Sequence, residues 1–241
     1  MPRFFVPKDR LGEEAVIGGE DARHLSRSLR AREGEKLVLS DGEGGDYLYE
    51  ITGFTREKVL LRLVEKLESD QEPGLRVTLF LAAAKGDKTE FMIRTAVESG
   101  AAAICPFLSR NCVARPEPGQ KTERWNRVAL EAAMQSGRSV VPPVFDVVDF
   151  RAAVEMAGKI GGAVLYEKAT RPFGKALPEL LSGGKREIAF LIGSEGGFTP
   201  EEAGTAEKAG LMPLSLGKRI LRCESVPLFV MGAALALAKE I

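Results

Sequence analysis

The sequence predicts an α/β protein in which a small β-barrel domain precedes a parallel sheet that is covered by helices on both faces. Up to about residue 70, apolar or alternating runs are separated by turn-forming segments such as DGEGG, which is typical of short strands. From residue 76, continuously apolar runs alternate with helical ones, which is typical of a buried parallel sheet. The acidic, turn-forming SDQEPG at 69–74 separates the two patterns, so we expect domains at 1–70 and 74–241.

The N-terminal domain is expected to contain strands and one inserted helix. The helix begins at Glu20 or Asp21 as its cap and continues through Leu25 and Leu29. The leucines of the segment at 58–67 would also fit a helix. The expected strands are KLVLS at 36–40, DYLYEITGF at 46–54 and KVLLRLVEKL at 58–67.

The C-terminal domain is expected to alternate strands and helices. The final helix is so apolar that we expect it to be buried. Strands are expected at 76–84, 102–108, 163–167, 187–192 and 212–217. Helices are expected at 89–99, 123–136, 149–158, 200–210 and 226–238.

Composition excludes several classes of protein. The 241 residues are 44% hydrophobic and 28% charged, which is ordinary for a globular chain, and 34 basic residues balance 34 acidic ones. Any nucleic-acid partner must therefore meet a local basic patch. The three cysteines lack the spacing of a disulfide framework or zinc site, so no metal is expected. No segment has the pattern of a signal peptide or a membrane span, and we expect a cytoplasmic location without membrane attachment.

The segment FLIGSEGGFTPEE, residues 190–202, has the pattern of a strand, a tight turn and a helix start. Thr199 suits the N-cap, Pro200 the first helical position and Glu202 the capping box. Such a turn lies at the carboxyl end of a parallel strand, where open α/β sheets bind ligands. GSEGG lacks the spacing of phosphate-binding loops, and Glu195 would repel a phosphate. This disfavours kinases and nucleotide-binding oxidoreductases; Glu195 either lies near a cation, accepts a proton or shapes the loop by accepting backbone N–H groups.

A second loop with unusual charge follows the last expected strand. In LSLGKRILRCES, residues 214–225, Lys218, Arg219, Arg222 and Glu224 follow Gly217 closely. The alternation of apolar residues with these charges indicates that part of the loop packs inward and directs its arginines, although a solvated charge run is the simpler interpretation.

These two loops resemble the C-terminal signatures of the RsmE family, the 16S rRNA (uracil-N3)-methyltransferases of the SPOUT superfamily. The resemblance extends over nearly the whole chain. It also includes RFFV at the start, HLSRSLRAREGE from residue 24, AAAKGDKTEFMIRTAVESGAAAICPFLS, and ERWNRVALEAAMQSGRSVVP. Several long motifs in the same order make the resemblance specific.

The resemblance implies a PUA-like RNA-binding barrel, a SPOUT domain with a C-terminal trefoil knot, and a homodimer. It implies that S-adenosylmethionine is held by the two loops and by the segment around LYEK, and that the substrate is a specific uridine of 16S rRNA within the small ribosomal subunit. The cofactor-binding residues that it implies are Leu165, Glu167, Leu191, Ile192, Gly193, Glu195, Gly196, Gly197, Leu214, Leu216, Gly217, Ile220, Leu221 and Arg222.

Three places depart from the family pattern. Ser194 stands where the family usually has proline, Cys223, Glu224, Ser225 and Val226 stand where it usually has TETA, and Asn111 stands where arginine is common. These departures leave the cofactor assignment intact, but they weaken a substrate role for Asn111.

Methylation of uracil N3 requires a proton to leave and negative charge on O2 and O4 to be stabilised. We expect Arg222 or Arg219 to stabilise that charge, because a guanidinium spans two acceptors. Glu195 or Glu224 is expected to accept the proton or to orient an arginine. A covalent role of Cys223, as in methylation at a ring carbon, is the less favoured alternative, because buried cysteines usually act as small hydrophobic residues.

Contact with RNA is expected to begin in the barrel. A run of arginines from residue 23 to residue 32 contains no acidic residue. His24 within it is more typical of a structural hydrogen bond, and ordinary solvated surface is the simpler interpretation of the other positions. The RNA-binding candidates are Arg3, Arg23, His24, Arg27, Arg30, Lys85, Lys88, Gln135 and Arg138. A non-catalytic RNA-binding protein is the main alternative, and the intact loops disfavour it.

Overall fold

The computed structural model describes residues 1–241 and contains two compact units. One unit consists of residues 1–72 and 133–141, and the other of residues 73–132 and 142–241. The sequence-based boundaries at 70 and 74 fall beside this division, while the segment 133–141 groups with the N-terminal unit.

The N-terminal unit is a five-stranded sheet that curls into a half barrel. Its strand order is β1-β3-β4-β5-β2, so β1 and β2 form the two edges. The expected strands are confirmed, and the ambiguous third segment is a strand; β1 and β2 were not expected. The helix is shorter than expected and passes into a π-helical turn at His24–Ser28. The elements are β1 (Arg3–Phe5), β2 (Glu14–Gly18), α1 (Gly19–Arg23), β3 (Lys36–Ser40), β4 (Asp46–Phe54) and β5 (Lys58–Leu67).

The C-terminal unit is a six-stranded, wholly parallel sheet of order β11-β9-β10-β6-β7-β8. Its strands are β6 (Arg76–Ala82), β7 (Ala103–Leu108), β8 (Val148–Asp149), β9 (Gly162–Leu165), β10 (Glu187–Ile192) and β11 (Met212–Leu214). Its helices are α2 (Lys88–Glu98), α3 (Thr122–Ser136, whose residues from 133 onward group with the N-terminal unit), α4 (Phe150–Ile160), α5 (Phe173–Leu180), α6 (Pro200–Lys208) and α7 (Val226–Leu237).

Helices cover both faces of this sheet, as the continuously apolar strands predict. On one face, Phe80 and Leu191 pack with residues of α4 and α6. On the other face, Phe190 meets Phe173 of α5 with ring centroids 5.4 Å apart. Successive strand residues point to opposite faces, so β10 needs an apolar residue at each position from Ile188 to Ile192, all of which are buried. All carboxyl ends lie at one edge of the sheet.

The last helix differs from the expectation of full burial. In α7, Val230 and Met231 are buried, but Leu228, Phe229 and Leu237 are 57%, 46% and 46% exposed. A helix that is apolar on all sides needs cover on all sides. The apolar pattern predicts burial on all sides, but this chain alone covers only one side of the helix.

Candidate functional site

The loop after β10 is held by the helix cap that its sequence predicts. The Thr199 hydroxyl accepts the backbone N–H of Glu202 at 3.2 Å, and the Glu202 carboxylate accepts the N–H of Thr199 at 3.0 Å. With Pro200 at the first helical position, this is a complete capping box. The direction in which the chain leaves GSEGG is therefore fixed.

The same loop is braced by the segment that follows β7. Asn111 donates from Nδ2 to the carbonyl oxygens of Gly196 and Gly197 at 2.9 and 3.3 Å. A Cβ at residue 196 would lie 2.7 Å from the Cβ of Asn111, so only glycine fits there without movement. Gly197 has a φ of 60°, which glycine adopts without strain. Asn111 thus supports the loop. The sequence, in which this residue only departs from the family pattern, did not predict that role.

A second contact joins the segment after β7 to the residues that follow the glycine loop. Besides capping α6, Glu202 accepts the backbone N–H of Arg110 at 2.8 Å. Arg115 then donates to the Arg110 carbonyl at 3.1 Å. One buried carboxylate therefore fixes both the start of α6 and the loop after β7.

Lys88, at the start of α2, joins the two carboxylates that were proposed as catalytic residues. Its ammonium lies 3.1 Å from Glu195 Oε1 and 3.8 Å from Glu224 Oε2. Glu195 also accepts the Lys85 backbone N–H at 3.1 Å, and Cys223 donates from Sγ to Glu224 at 3.3 Å. We call Lys88, Glu195, Cys223 and Glu224 the lysine cluster. Glu195 thus both shapes the loop and lies near a cation, two interpretations that the sequence left open.

The electrostatics of the lysine cluster favour charged carboxylates and a neutral thiol. Burial opposes ionisation of Glu195, but hydrogen bonds from its own backbone N–H, Lys88 and Lys85 lower its pKa overall. A hydrogen bond to its own backbone N–H, with further help from Cys223 and Lys88, lowers the pKa of Glu224. Burial, the hydrogen bond to Glu224 and the nearby carboxylates raise the pKa of Cys223 to about 12. Since the thiolate is the nucleophile, this environment disfavours a covalent role for Cys223.

The loop after β11 is much less constrained. Lys218, Arg219 and Arg222 are exposed and form no ion pair within the chain. Ile220 is 85% exposed, so the expected inward packing is wrong for this residue. The guanidinium groups of Arg219 and Arg222 are therefore available to a ligand, with Arg222 close enough to Glu224 to lower its pKa electrostatically.

The segment after β9 completes this edge of the sheet. Tyr166 donates its N–H to the Leu214 carbonyl at 2.9 Å, and Ser215 donates to Arg171 at 2.9 Å, so the segments after β9 and β11 run side by side. Glu167 approaches the loop after β10, since a Cβ on Gly197 would lie 3.3 Å from its Oε2. The apolar cofactor candidates that are buried here are Leu165, Leu191, Ile192 and Leu214. Leu216 and Leu221 are partly exposed.

Ser194, inside the glycine loop, carries the one buried side-chain oxygen or nitrogen that has no hydrogen-bond partner in the structure. The residue is 5% exposed. An unpaired hydroxyl in a protein interior costs free energy unless a ligand or water satisfies it. It therefore marks the inner side of this loop as a place where a polar ligand atom would be stabilised.

The RNA-binding candidates fall into two groups. Arg3 and Arg138 are nearly buried and ion-paired to Asp46 and Glu72 respectively. Both pairs favour a structural role, and RNA binding by these two arginines stays a prediction. The exposed candidates are Arg23, His24, Arg27, Arg30, Lys85 and Gln135, while Lys88 is half-buried in the lysine cluster.

Comparisons with known proteins agree with this architecture. Residues 71–235 match the family model of the RNA methyltransferase domain, and residues 17–64 match that of the RNA methyltransferase PUA domain. The fold and the site at its carboxyl edge thus define the class: an RNA methyltransferase with an N-terminal PUA domain. The chain belongs to the ribosomal RNA small subunit methyltransferase E family, as the sequence motifs predicted.

The relatives that show the family match the chain over nearly its full length. The Synechocystis sp. protein of that name is 35% identical over 99% of this chain and 78% of its own length. The Bacillus subtilis protein is 30% identical over 97% of this chain and 95% of its own length. A solved structure from Neisseria gonorrhoeae, bound to S-adenosylmethionine, has a TM-score of 0.89 with 30% identity and covers 98% of both chains.

Two further observations bear on the sequence-based expectations. The cysteines are free, and no group of three or more acidic, histidine or cysteine side chains is placed to hold a metal ion. None of the helices combines the length and apolarity that crossing a membrane would require.

Proposed function

We propose that the protein transfers the methyl group of S-adenosylmethionine to N3 of a specific uridine in 16S rRNA. One observation carries this proposal. The two loops that the sequence singled out meet at the carboxyl edge of the sheet, where Lys88 joins Glu195 of one loop to Glu224 of the other. Family membership and the relatives' names support rRNA methylation, and the solved relative that binds S-adenosylmethionine supports the cofactor.

The residues of this edge fit that cofactor. Glu195 is ionised and would repel a phosphate, whereas S-adenosylmethionine has a cationic sulfonium and no phosphate. The unpaired Ser194 hydroxyl offers a polar contact, and Leu191 and Ile192 offer buried apolar contacts. When bound, the cofactor supplies an electrophilic methyl group. We propose that the cofactor-binding residues named from the family resemblance hold it.

The chain's own residues then have three tasks. They must position N3, stabilise negative charge on O2 and O4, and accept the N3 proton. Arg222 or Arg219 performs the second task, because both guanidinium groups are free of ion pairs. Glu195 or Glu224 accepts the proton or orients an arginine; both carboxylates are ionised near neutral pH, as an acceptor requires.

The substrate contacts are also part of the proposal. We assign residues 1–70 to RNA binding through the exposed arginines of the run from residue 23, and residues 74–241 to the methyltransferase domain. Binding should weaken with salt, because phosphate contacts release counterions. The target base must leave its stack to reach the cofactor. An assembled small ribosomal subunit in the cytoplasm is the proposed setting.

The proposal includes a trefoil knot and a homodimer. The hydrogen bonds between segments 166–173 and 214–215 support a chain path in which the C-terminal loop passes beside the loop after β9. The exposed apolar face of α7 supports a second copy as its cover. Phe229→Glu is expected to convert a species of twice 26.1 kDa into a monomer, measured by light scattering. Met156→Glu, on the exposed side of α4, is the control; a monomeric wild-type protein would contradict the homodimer.

The experiment that tests the main proposal is deletion of the gene followed by mass spectrometry of 16S rRNA nucleosides. We expect one N3-methyluridine to disappear and to return with the wild-type gene. Arg222→Ala supplied in the same way should not restore it. An unchanged modification profile in the deletion strain would overturn the proposal.

A further inference from the structure

A cleft of about 420 Å³ opens in the C-terminal unit between the start of α2 and the segment 114–121. None of the catalytic or cofactor candidates lines it. Its volume lies within the range of small-molecule sites, about 300–1,000 Å³. The chemistry of its walls indicates what it can hold.

The inner part of the cleft is apolar. Ala83, Ala84 and Trp125 line it and are 1%, 3% and 3% exposed, respectively. Two alanine side chains and an indole ring give this part of the cleft an apolar lining, and none of the three residues carries an unpaired buried polar side-chain atom. Such a surface suits the flat face of a base or a ribose.

The rim of the cleft is charged, with a surplus of cations. Arg115, Lys121 and Arg124 line it, against Asp87 and Glu90. Glu90 is already neutralised by Arg124, with Nε–Oε1 at 2.7 Å. Lys121 has no carboxylate within ion-pair distance in the chain, so its ammonium is available to an anionic group.

The outer wall of the cleft is fixed before any ligand binds. Asp146 accepts the Gly119 N–H at 2.8 Å and the Thr122 hydroxyl at 2.7 Å. The Gly119 amide makes the leading contribution, with help from Thr122, to lowering the pKa of Asp146, so these contacts persist at neutral pH. The segment that presents Lys121 is therefore held in place.

Both walls continue into segments that contact the glycine loop. Ala84 directly precedes Lys85, whose N–H binds Glu195 at 3.1 Å. On the other wall, Arg115 holds the carbonyl of Arg110, next to the Asn111 that braces Gly196. A ligand in the cleft would thus lie beside the loop that we propose to hold the methyl donor.

We propose that this cleft binds one nucleotide of the RNA substrate, with its base or ribose on the apolar floor and its phosphodiester at Lys121. This inference rests on the proposed function and identifies part of its substrate site. The amphipathic walls fit a nucleotide better than a free inorganic anion, which would leave the floor without a partner.

Three variants of the full-length protein test the proposal. Lys121→Gln removes one of the three rim cations, Ala114→Trp fills the cleft without changing its charge, and Lys208→Gln is the control. Lys208 is an exposed, unpaired lysine at the end of α6, away from the carboxyl edge of the sheet. Binding of a short fluorescent single-stranded RNA is measured by anisotropy over a range of salt concentrations.

We expect Lys121→Gln to weaken binding about fivefold at low salt and to reduce the slope of log K against log salt by about 1. Ala114→Trp should weaken binding by at least as much, and Lys208→Gln should stay within twofold of wild type. In methyl transfer to 16S rRNA, Lys121→Gln should raise KM while kcat changes less than twofold. Lys121 is partly exposed and forms no ion pair within the chain, so its variant stays informative if Ala114→Trp fails to fold.

The failure of this inference can be distinguished from the failure of the proposed function. Wild-type affinity, salt slope and KM in Lys121→Gln would overturn the cleft while methylation by the wild-type protein stands. If the wild-type protein transfers no methyl group but RNA binding still depends on Lys121, the proposed function fails and the cleft is supported.

Discussion

The loop after β10 and the loop after β11 lie at the same edge of the sheet, but they are held very differently. The first is fixed by the capping box, by Asn111 and by Lys85. In the second, Arg219 and Arg222 are exposed, and the hydrogen bonds of the loop are confined to its two ends. The comparison indicates that the two loops have different roles. The loop after β10 is a preformed wall for the cofactor, whereas the cations of the loop after β11 take their final positions when a ligand or partner binds.

The largest effect is expected where the second loop acts on the substrate. Arg222→Ala should reduce the single-turnover rate of methylation by about 10²–10³-fold, as removal of one donor to a developing oxyanion does. Its thermal midpoint should change little, because the side chain forms no hydrogen bond or ion pair in the chain and only a longer-range electrostatic contact with Glu224. Arg151→Ala, another exposed and unpaired arginine, is the control. A rate within twofold of wild type would show that Arg222 does not stabilise the charge.

The first loop should respond to loss of space. Gly196→Ala places a Cβ 2.7 Å from that of Asn111, so we expect at least tenfold weaker S-adenosylmethionine binding by calorimetry and a lower melting temperature. Gly204→Ala is the matched control. Its Cβ would meet nothing within 4 Å, and it should stabilise α6 by about 0.5–1 kcal/mol. Unchanged cofactor affinity in Gly196→Ala would contradict the idea of a preformed wall.

The link between the two loops is expected to be sensitive to pH. The lowered pKa values of Glu195 and Glu224 mean that their ionised forms stabilise the folded state above their unfolded pKa. This contribution is lost as the pH falls below about 5 and through the lowered folded values. Lys88→Met should weaken this dependence, giving a melting temperature that falls less steeply on acidification. Lys208→Met is the control, and identical pH profiles of wild type and Lys88→Met would count against the link.

The smallest effect is expected at Cys223. Because its pKa is raised to about 12, the thiol is protonated at neutral pH. Cys223→Ser should therefore keep the methylation rate within about threefold of wild type. Complete loss of activity in a folded Cys223→Ser variant would restore the covalent alternative.

Local patterns in the sequence predicted the parts of the site that depend on local contacts. The capping box joins residues three positions apart, so TPEE was sufficient to predict it. The bracing by Asn111 joins residues 85 positions apart, and no local pattern reports such a contact. The sequence likewise suggests only an RNA-binding role for Lys88, because its partners Glu195 and Glu224 come from distant loops.

The predictions that differ from the structure can also be explained in physical terms. Helix α5 was not expected, because Pro178 interrupts its helical pattern. Ile220 was expected to pack inward because apolar residues alternate with charges, but alternation reports two faces only in a regular strand. The apolarity of α7 signalled burial without specifying the partner, so half of its surface lies uncovered in one chain.

The close approach of Asn111 to Gly196 constrains the order in which these positions can change during evolution. A side chain at residue 196 becomes tolerable only after residue 111 has lost its Cβ or moved away, whereas a change at residue 111 alone forfeits two hydrogen bonds. The two positions should therefore be epistatic: the effects of Asn111→Gly and Gly196→Ala should not add, and the double variant should be less impaired than their sum.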